Sequence, residues 1–129
     1  MRCFLLTLAL LAGPAAAADY FGAIAYSPKT GADGWAKDHP SREAAERAAL
    51  EACRKHAHDC RPVFYFWNTC AALATSPSTY AWGWAENQTA ADLEAMKACA
   101  KHAAGCKVIR QVCTSRAGGP GAKPGKAAQ

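Results

Sequence analysis

The chain has 129 residues, with 15 basic and 10 acidic side chains and a formal net charge of +5. Most of this excess lies at the two ends, because residues 19–115 carry 11 basic and 10 acidic side chains. A nucleic-acid-binding domain is expected to show a basic face on its folded part. We therefore expect no nucleic-acid partner, and the length favours a single domain.

Residues 1–18 have the pattern of a secretory signal peptide. Arg2 precedes an apolar run over residues 3–11, and Ala16, Ala17 and Ala18 are the small residues that a cleavage site needs. The alternative, a retained membrane anchor, would need a longer apolar run to span a bilayer. We predict a bacterial periplasmic or secreted protein, with no transmembrane segment after cleavage.

Residues 116–129 form the other end of the chain. They are dominated by Gly, Pro, Ala and Lys and contain no acidic residue. A segment of this composition cannot bury enough apolar surface to fold, so it is predicted to be a flexible basic tail. The folded domain is predicted to cover residues 19–115.

The predicted domain is an internal repeat. Residues 22–38 align with residues 71–87 at an offset of 49, and the following segments align at an offset of 46. Similarity at a fixed period of this size is typical of a duplicated supersecondary unit. The two predicted units cover about residues 20–70 and 71–114.

The first unit begins with a short apolar strand at residues 23–26. A turn-rich segment and a second strand that starts at Trp35 complete a predicted hairpin. A helix is predicted from Ser41, a suitable N-cap, to about Ala57. Residues 61–68 follow as a third strand, which is apolar on both faces and therefore favours a central position in a sheet.

The second unit repeats this plan. Its predicted elements are a hairpin with Trp82 and Trp84, a helix from about Asn87 or Thr89 to Ala103, and a strand over residues 106–113. On the first helix, the i, i+4 pairs Glu43–Arg47 and Glu51–Lys55 are expected to be stabilising. The predicted fold class is α+β, with about six strands and two helices in a pseudo-twofold, disulfide-stapled arrangement.

Each unit contains the spacing Cys-x-x-His-x-x-x-Cys, which could describe a metal site or a disulfide. A structural metal site needs four ligands with free thiolates. The second unit offers only three, because Ala104 and Gly105 replace His58 and Asp59. Export to an oxidising compartment favours disulfides instead, so we predict no metal and no cofactor.

Six cysteines remain after removal of the predicted signal peptide, and the duplication selects one pairing among the many that are possible. The predicted disulfides are Cys53–Cys60, Cys99–Cys106 and Cys70–Cys113. A left-handed backbone at Asp59 or Gly105 is expected to bring the cysteines of each turn together. The last disulfide is expected to tie the two units to each other.

Four features of the first unit occur together: the strand GAIAYS, the Gly-Trp hairpin, an Ala-rich helix that ends in Cys, and Asn68-Thr69-Cys70. In this combination the chain resembles a bacterial exported family named domain of unknown function 4189. The resemblance covers about residues 20–114. It implies a small exported domain, and it brings no activity and no catalytic residues with it.

The sequence contains no motif typical of an enzyme, such as Gly-x-Ser-x-Gly, His-Glu-x-x-His or a phosphate-binding loop. The remaining candidates for acid–base chemistry are His39, which follows Asp38, and His56. A histidine in the last turn of a helix usually interacts with the helix C-terminus. We therefore predict no catalytic residue, and an enzymatic activity is left open.

Three tryptophans are the candidate binding residues. Trp82 and Trp84 share one face of a strand, and Trp35 is the equivalent of Trp84 in the first unit. Exposed indoles can stack on sugars or hold the side chains of a partner. The alternative is that Trp35 and Trp84 are core residues under the helices, which would leave Trp82 as the surface aromatic residue.

Two functions fit these observations. The favoured one is an exported, disulfide-stabilised recognition module that binds a protein partner or an envelope polymer without catalysis. The other is a small envelope hydrolase that uses His39 or His56 with a nearby carboxylate. The sequence predicts neither the identity of the ligand nor the oligomeric state.

Overall fold

The computed structural model describes residues 18–117 and the backbone of residues 123–124. The predicted signal peptide, apart from Ala18, and most of the predicted tail lie outside these residues. The elements in chain order are β1 (Phe21–Tyr26), β2 (Asp33–His39), α1 (Arg42–Arg54), β3 (Arg61–Trp67), β4 (Cys70–Thr75), β5 (Tyr80–Ala85), α2 (Gln88–Ala100), β6 (Lys107–Cys113) and β7 (Lys123–Pro124). The predicted α+β class, with six main strands and two helices, is confirmed.

The two units pack together through their sheets. The strand order is β2-β1-β3 in the first unit, with the two-residue β7 on the outer edge of β3, and β5-β4-β6 in the second. Each helix packs on the outer face of its own sheet. The layers are therefore helix, sheet, sheet, helix. Neither helix in the described residues is long and apolar enough to cross a membrane.

Three apolar clusters lie between these four layers. The two outer clusters, one under each helix, consist mainly of alanine and cysteine, so each helix lies close to its sheet. The middle cluster, between the sheets, contains the large side chains. Its fully or nearly fully buried members include Ile24, Phe64, Phe66 and Leu73.

β1 and β4 each lie between two long strands, and β3, which was predicted to be central, lies between β1 and the two-residue β7. All six residues of β4 are buried. The second apolar face of β3 carries Tyr65 and Trp67, which are only half-buried and stack at 6.0 Å between ring centroids. The guanidinium of Arg42 covers the Tyr65 ring at 4.0 Å, so a long helical side chain covers this face instead of another sheet.

Local sequence signals placed the start of both helices correctly. The Ser41 side chain accepts a hydrogen bond from the Ala44 amide, and the Asn87 side chain accepts one from the Ala90 amide. These side chains satisfy backbone donors that the first helical turn leaves free.

The helix ends and the ion pairs differ from the prediction. Both helices end three residues earlier than expected, because the turn that leads to the following strand begins there. The i, i+4 ion pair on α1 joins Arg42 to Glu46 at 2.7 Å. The expected Glu43–Arg47 and Glu51–Lys55 pairs are not formed in the described structure.

Gly34 of β2 and Gly83 of β5 lie against the helices. A Cβ at Gly34 would lie 2.2 Å from the Ala49 carbonyl oxygen, and a Cβ at Gly83 would lie 2.2 Å from the Ala95 amide nitrogen. The glycine before each tryptophan thus allows the close approach of a helix. Because side chains alternate along a strand, the neighbouring tryptophans point away from the helices, and the expectation of core tryptophans under them was wrong.

The cysteines are joined in the pairs Cys53–Cys60, Cys99–Cys106 and Cys70–Cys113, with Cα–Cα distances of 6.0, 6.1 and 3.9 Å. The first two disulfides join the end of each helix to the loop before the next strand. The third joins directly opposed residues of β4 and β6, so it lies within the second unit. The expectation that it ties the two units together was wrong, because Cys70 begins the second unit and does not end the first.

The two disulfide turns are closed by different backbone conformations. Gly105 has a φ of +74°, as expected for a left-handed residue after a helix. Asp59 does not have a positive φ, and this part of the prediction was wrong. The first turn is instead held by the Asp59 carboxylate, which accepts a hydrogen bond from the buried Ser27 hydroxyl. This bond is the largest cause that lowers the pKa of Asp59.

Candidate binding site

Trp82 and Trp84 share one face of β5, as predicted, and this is the inner face, toward the other sheet. Trp35 lies on the inner face of β2. Both strands are edge strands of their sheets. Across the interface between the two sheets, β2 lies opposite β6, whereas β5 lies opposite β3. Trp35 is therefore at the opposite side of the molecule from the other two, and the structure does not bring the three together.

The exposure of the tryptophans is the reverse of the expected order. Trp84 and Trp35 expose 41% and 42% of their surface, whereas Trp82 is half-buried against the middle cluster. Trp82 is therefore mainly a packing residue, and Trp84 is the accessible indole of β5.

Phe64 of β3 fixes the position of both indoles of β5. Its ring lies 5.9 Å from Trp82 and 6.0 Å from Trp84, between centroids, and each pair has an interplanar angle of 22°. Phe64 itself is 1% exposed. The indole of Trp84 is thus supported on one side by a rigid core residue, which lowers the entropic cost of using its other surface for binding.

A shallow groove of about 270 Å³ runs between β5 and α2. Its lining residues are Trp82, Gly83, Trp84, Glu94, Lys97, Ala98 and Lys101. Lys97 forms an exposed ion pair with Glu94 at 3.3 Å. Lys101 forms no ion pair with the described residues, so the groove runs along the Trp-Gly-Trp edge strand and carries one uncompensated positive charge.

The candidate acid–base residues are far apart. His39 lies before α1 and His56 lies after it, so the 13-residue helix separates them by about 20 Å. His56 is exposed, and neither histidine lines the groove. Within residues 18–117, no cluster of three or more His, Cys, Asp or Glu side chains could hold a metal ion.

The carboxylate beside His39 takes part in joining the two units. Both the amide and the hydroxyl of Ser115 donate hydrogen bonds to Asp38, and the amide bond is 2.9 Å long. Partial burial works to raise the pKa of Asp38. The two hydrogen bonds, with Lys37 and His39 nearby, outweigh burial and hold this pKa below its ordinary value.

Comparison with known proteins assigns the chain to a family of small domains. The profile of the family described as "Domain of unknown function (DUF4189)" matches residues 21–113, which is the whole of both units. The chain therefore belongs to this family, as the resemblance of the first unit indicated.

The relatives that the chain resembles include proteins from mycobacteria. Protein Rv1269c from Mycobacterium tuberculosis and Protein Mb1300c from Mycobacterium bovis are each 39% identical to it over 75 residues. The match covers 58% of this chain and 57% of each relative, so the chain spans little more than half the length of these proteins.

A solved structure shares the fold. The NMR structure of Rv1813c from Mycobacterium tuberculosis has a TM-score of 0.54 and 27% sequence identity. The alignment covers 88% of this chain and 91% of that chain. The likeness therefore includes both units and not a single repeat.

Sequence reasoning identified the tryptophans of the groove but missed its other members. Lys97 and Lys101 are four residues apart on α2, so they lie on one helical face, but nothing in the sequence indicates that this face borders β5. Phe64 was recognised only as part of an apolar strand. Its role as the support of two indoles depends on the packing of one sheet on the other.

Proposed function

We propose that this protein is an exported recognition module that binds a partner without catalysis, through the groove between β5 and α2. The observation that carries the proposal is Trp84, an indole on β5 that is 41% exposed and supported by a buried phenylalanine. Large exposed aromatic residues on rigid elements are typical of binding hot spots. The ligand is a protein partner or an envelope polymer.

Export is part of this proposal. It is supported by the signal-peptide pattern of residues 1–18 and by the three disulfides, which are typical of proteins in oxidising compartments. The expected location is the periplasm or the exterior of a bacterial cell. The predicted boundaries, with a domain at residues 19–115 and a basic tail at residues 116–129, belong to the same proposal.

The hydrolase alternative has weaker support. It needs His39 or His56 to act with a nearby carboxylate in a cleft. The carboxylate next to His39 is already bonded to Ser115, and His56 lies on the exposed turn after α1.

The test compares the capture of partners by variants of the disulfide-bonded protein from envelope extracts. Wild-type protein is expected to retain a specific protein or polymer, and Trp84→Ala is expected to lose it. Leu93→Ala is the matched control, because Leu93 is a large apolar side chain that is 56% exposed on α2 and does not line the groove. Equal capture by all three proteins, or no specific capture by any of them, would contradict the proposal.

A further inference from the structure

The outer edge of β5 differs from the other strand edges of the molecule. An unpaired edge presents free N–H and C=O groups, and proteins usually protect it with charged residues, proline or a bulge. β2 carries Lys37 and a register shift against β1, and β6 carries Lys107, Arg110 and a register shift against β4. β3 contains Pro62, and its outer edge pairs with β7.

β5 has none of these protections. Its sequence, YAWGWA, contains no charged residue and no proline, and it pairs with β4 without a register shift over all six residues. In the described part of the chain, no strand covers its outer edge. An edge that is regular, uncharged and aromatic is suited to pairing with another strand.

We infer that β5 binds an extended segment of a partner protein by strand addition, and that this segment alternates acidic and apolar residues. The inference rests on the proposed function and names the class of partner. Main-chain hydrogen bonds to β5 provide affinity that does not depend on sequence, and side-chain contacts on the two faces of the added strand provide specificity.

The two faces of the added strand meet different surfaces. Alternate side chains on the helix side enter the groove, where Lys101, which lies beside the Lys97–Glu94 ion pair, favours carboxylates. The intervening side chains lie on the inner side, next to the exposed indole of Trp84. The partner segment is therefore expected to alternate acidic and apolar residues, because successive side chains of a strand point to opposite faces.

A single strand fits this edge better than a second copy of the chain. α2 lies so close over β5 that the Ala95 amide nitrogen is 2.2 Å from the position of a Cβ at Gly83. Antiparallel edge-to-edge pairing of two β5 strands would place both α2 helices on the same face of the joined sheet, so the grooves of the two copies, each with an excess of positive charge, would repel each other.

The experiment begins with selection of random peptides of about 8 residues on the disulfide-bonded protein. The enriched peptides are expected to alternate acidic and apolar residues. N-methylation of a selected peptide at every second amide is expected to weaken binding at least about 10-fold, because those amides bond to β5. N-methylation at the intervening amides is expected to have little effect.

Charge reversal of the groove provides the second measurement. Lys97→Glu with Lys101→Glu is expected to weaken peptide binding about 10-fold, because the groove, which also contains Glu94, would then present three carboxylates to the acidic residues of the peptide. Lys55→Glu is the matched control, because Lys55 is the equivalent of Lys101 in the first unit and is expected to change nothing. Thermal melting of each variant checks that the fold is retained.

Three results would overturn the inference. They are peptide binding without a period of two in the N-methyl series, peptide binding that the lysine reversals do not change, and dimerisation of the protein with amide protection confined to β5. If no peptide is enriched while Trp84-dependent capture of a partner persists, strand addition is wrong and the proposed function stands. If capture also fails, both are wrong.

Discussion

Asp33 of β2 and Arg110 of β6 form a two-pronged salt bridge between the sheets. At the equivalent position on the other side of the interface, Trp82 stacks on Phe64. The Arg110 Nε and Nη2 atoms donate to the two oxygens of Asp33 at 2.6 and 3.1 Å. At the repeat offsets of 49 and 46, Asp33 is the equivalent of Trp82, and Arg110 is the equivalent of Phe64. The duplicated units therefore fill equivalent positions of their interface with an ion pair on one side and an aromatic pair on the other.

The first prediction concerns this ion pair. Arg110→Ala is expected to lower the free energy of unfolding by about 2 kcal/mol, because it leaves the mostly buried Asp33 carboxylate without its charged partner. Hydrogen bonding to Asp33 raises the pKa of Arg110, although partial burial opposes this effect. In a double-mutant cycle with Asp33→Ala, urea unfolding is expected to give a coupling energy of about 1 kcal/mol. Additive effects of the two substitutions would show that the pair makes no net contribution.

The second prediction separates the packing tryptophan from the accessible one. Trp82→Ala is expected to cost about 3 kcal/mol, because it opens a cavity beside Phe64 in the middle cluster. Trp84→Ala is expected to cost about 1 kcal/mol, because 41% of its surface is already exposed. Urea unfolding of both variants checks the order. Equal losses would mean that Trp84 is a core residue and would weaken its assignment to a binding site.

Features that depend on neighbouring residues in the chain were predicted correctly, whereas the exposure of the two tryptophans was not. Ser41, Asn87 and Gly105 act through their own neighbours in the chain, so local rules located them correctly. The exposure of Trp82 and Trp84 depends on which strand is at the edge and which sheet lies opposite. Those facts depend on pairing between distant segments, and the apolar pattern of a short strand does not specify them.

The repeat also explains why the predicted role of the Cys70–Cys113 disulfide was wrong. The predicted role of Cys70 assumed that it closes the first unit, but it begins β4 and is the equivalent of Phe21. Cys113 is correspondingly the equivalent of Trp67. Phe21 and Trp67 are opposed in the first sheet, with ring centroids 5.9 Å apart, just as Cys70 and Cys113 are opposed in the second. The alignment of the two units already pairs the aromatic residues of one copy with the cysteines of the other. That each pair joins directly opposed strand residues follows only from the strand register in the structure.

The third prediction tests the contact between each helix and its glycine. Gly83→Ala is expected to destabilise the protein by about 3 kcal/mol, because the new methyl group would meet backbone atoms of α2 that cannot move independently. Gly105→Ala is the control, because its position is open and only its positive φ is unfavourable, at a cost of about 1 kcal/mol. The measurement is urea unfolding. A smaller loss for Gly83→Ala than for Gly105→Ala would contradict the close approach of α2 to β5.

The fourth prediction is a pH dependence that arises from Asp38. Its pKa is lowered in the folded protein, so its contribution to stability is present above the ordinary carboxyl pKa of about 4 and is lost as the pH falls through the folded value. Asp38→Asn keeps a residue that tolerates the positive φ of 60°. It is expected to lower Tm by about 3 °C at neutral pH, because the contact is exposed and weak.

This difference in Tm is expected to disappear in strongly acidic solution, where Asp38 is protonated in the wild-type protein as well. Thermal melts over a series of pH values provide the measurement. Glu86→Gln is the control, because the Glu86 carboxylate is exposed and accepts no side-chain hydrogen bond from the described residues. A difference in Tm that does not vary with pH would show that Asp38 acts through its shape and not through its charge.

The fifth prediction compares the disulfides. In the chain-entropy description, a disulfide stabilises the protein by an amount that grows with the length of the loop it closes. The sequence separation is 43 residues for Cys70–Cys113 and 7 residues for Cys53–Cys60. Replacing both cysteines of a pair with alanine is therefore expected to cost about 4 kcal/mol for the first pair and about 2.5 kcal/mol for the second.

The Cys70–Cys113 disulfide also closes the second unit at the position where the first unit uses an aromatic pair. Because the disulfide does not cross between the units, its loss is expected to leave a single cooperative transition in urea, in which both sheets unfold together. The midpoint is followed by tryptophan fluorescence and by far-ultraviolet circular dichroism. Separate transitions with the two probes in the Cys70→Ala, Cys113→Ala variant would mean that the disulfide, and not the apolar contact between the sheets, couples the units.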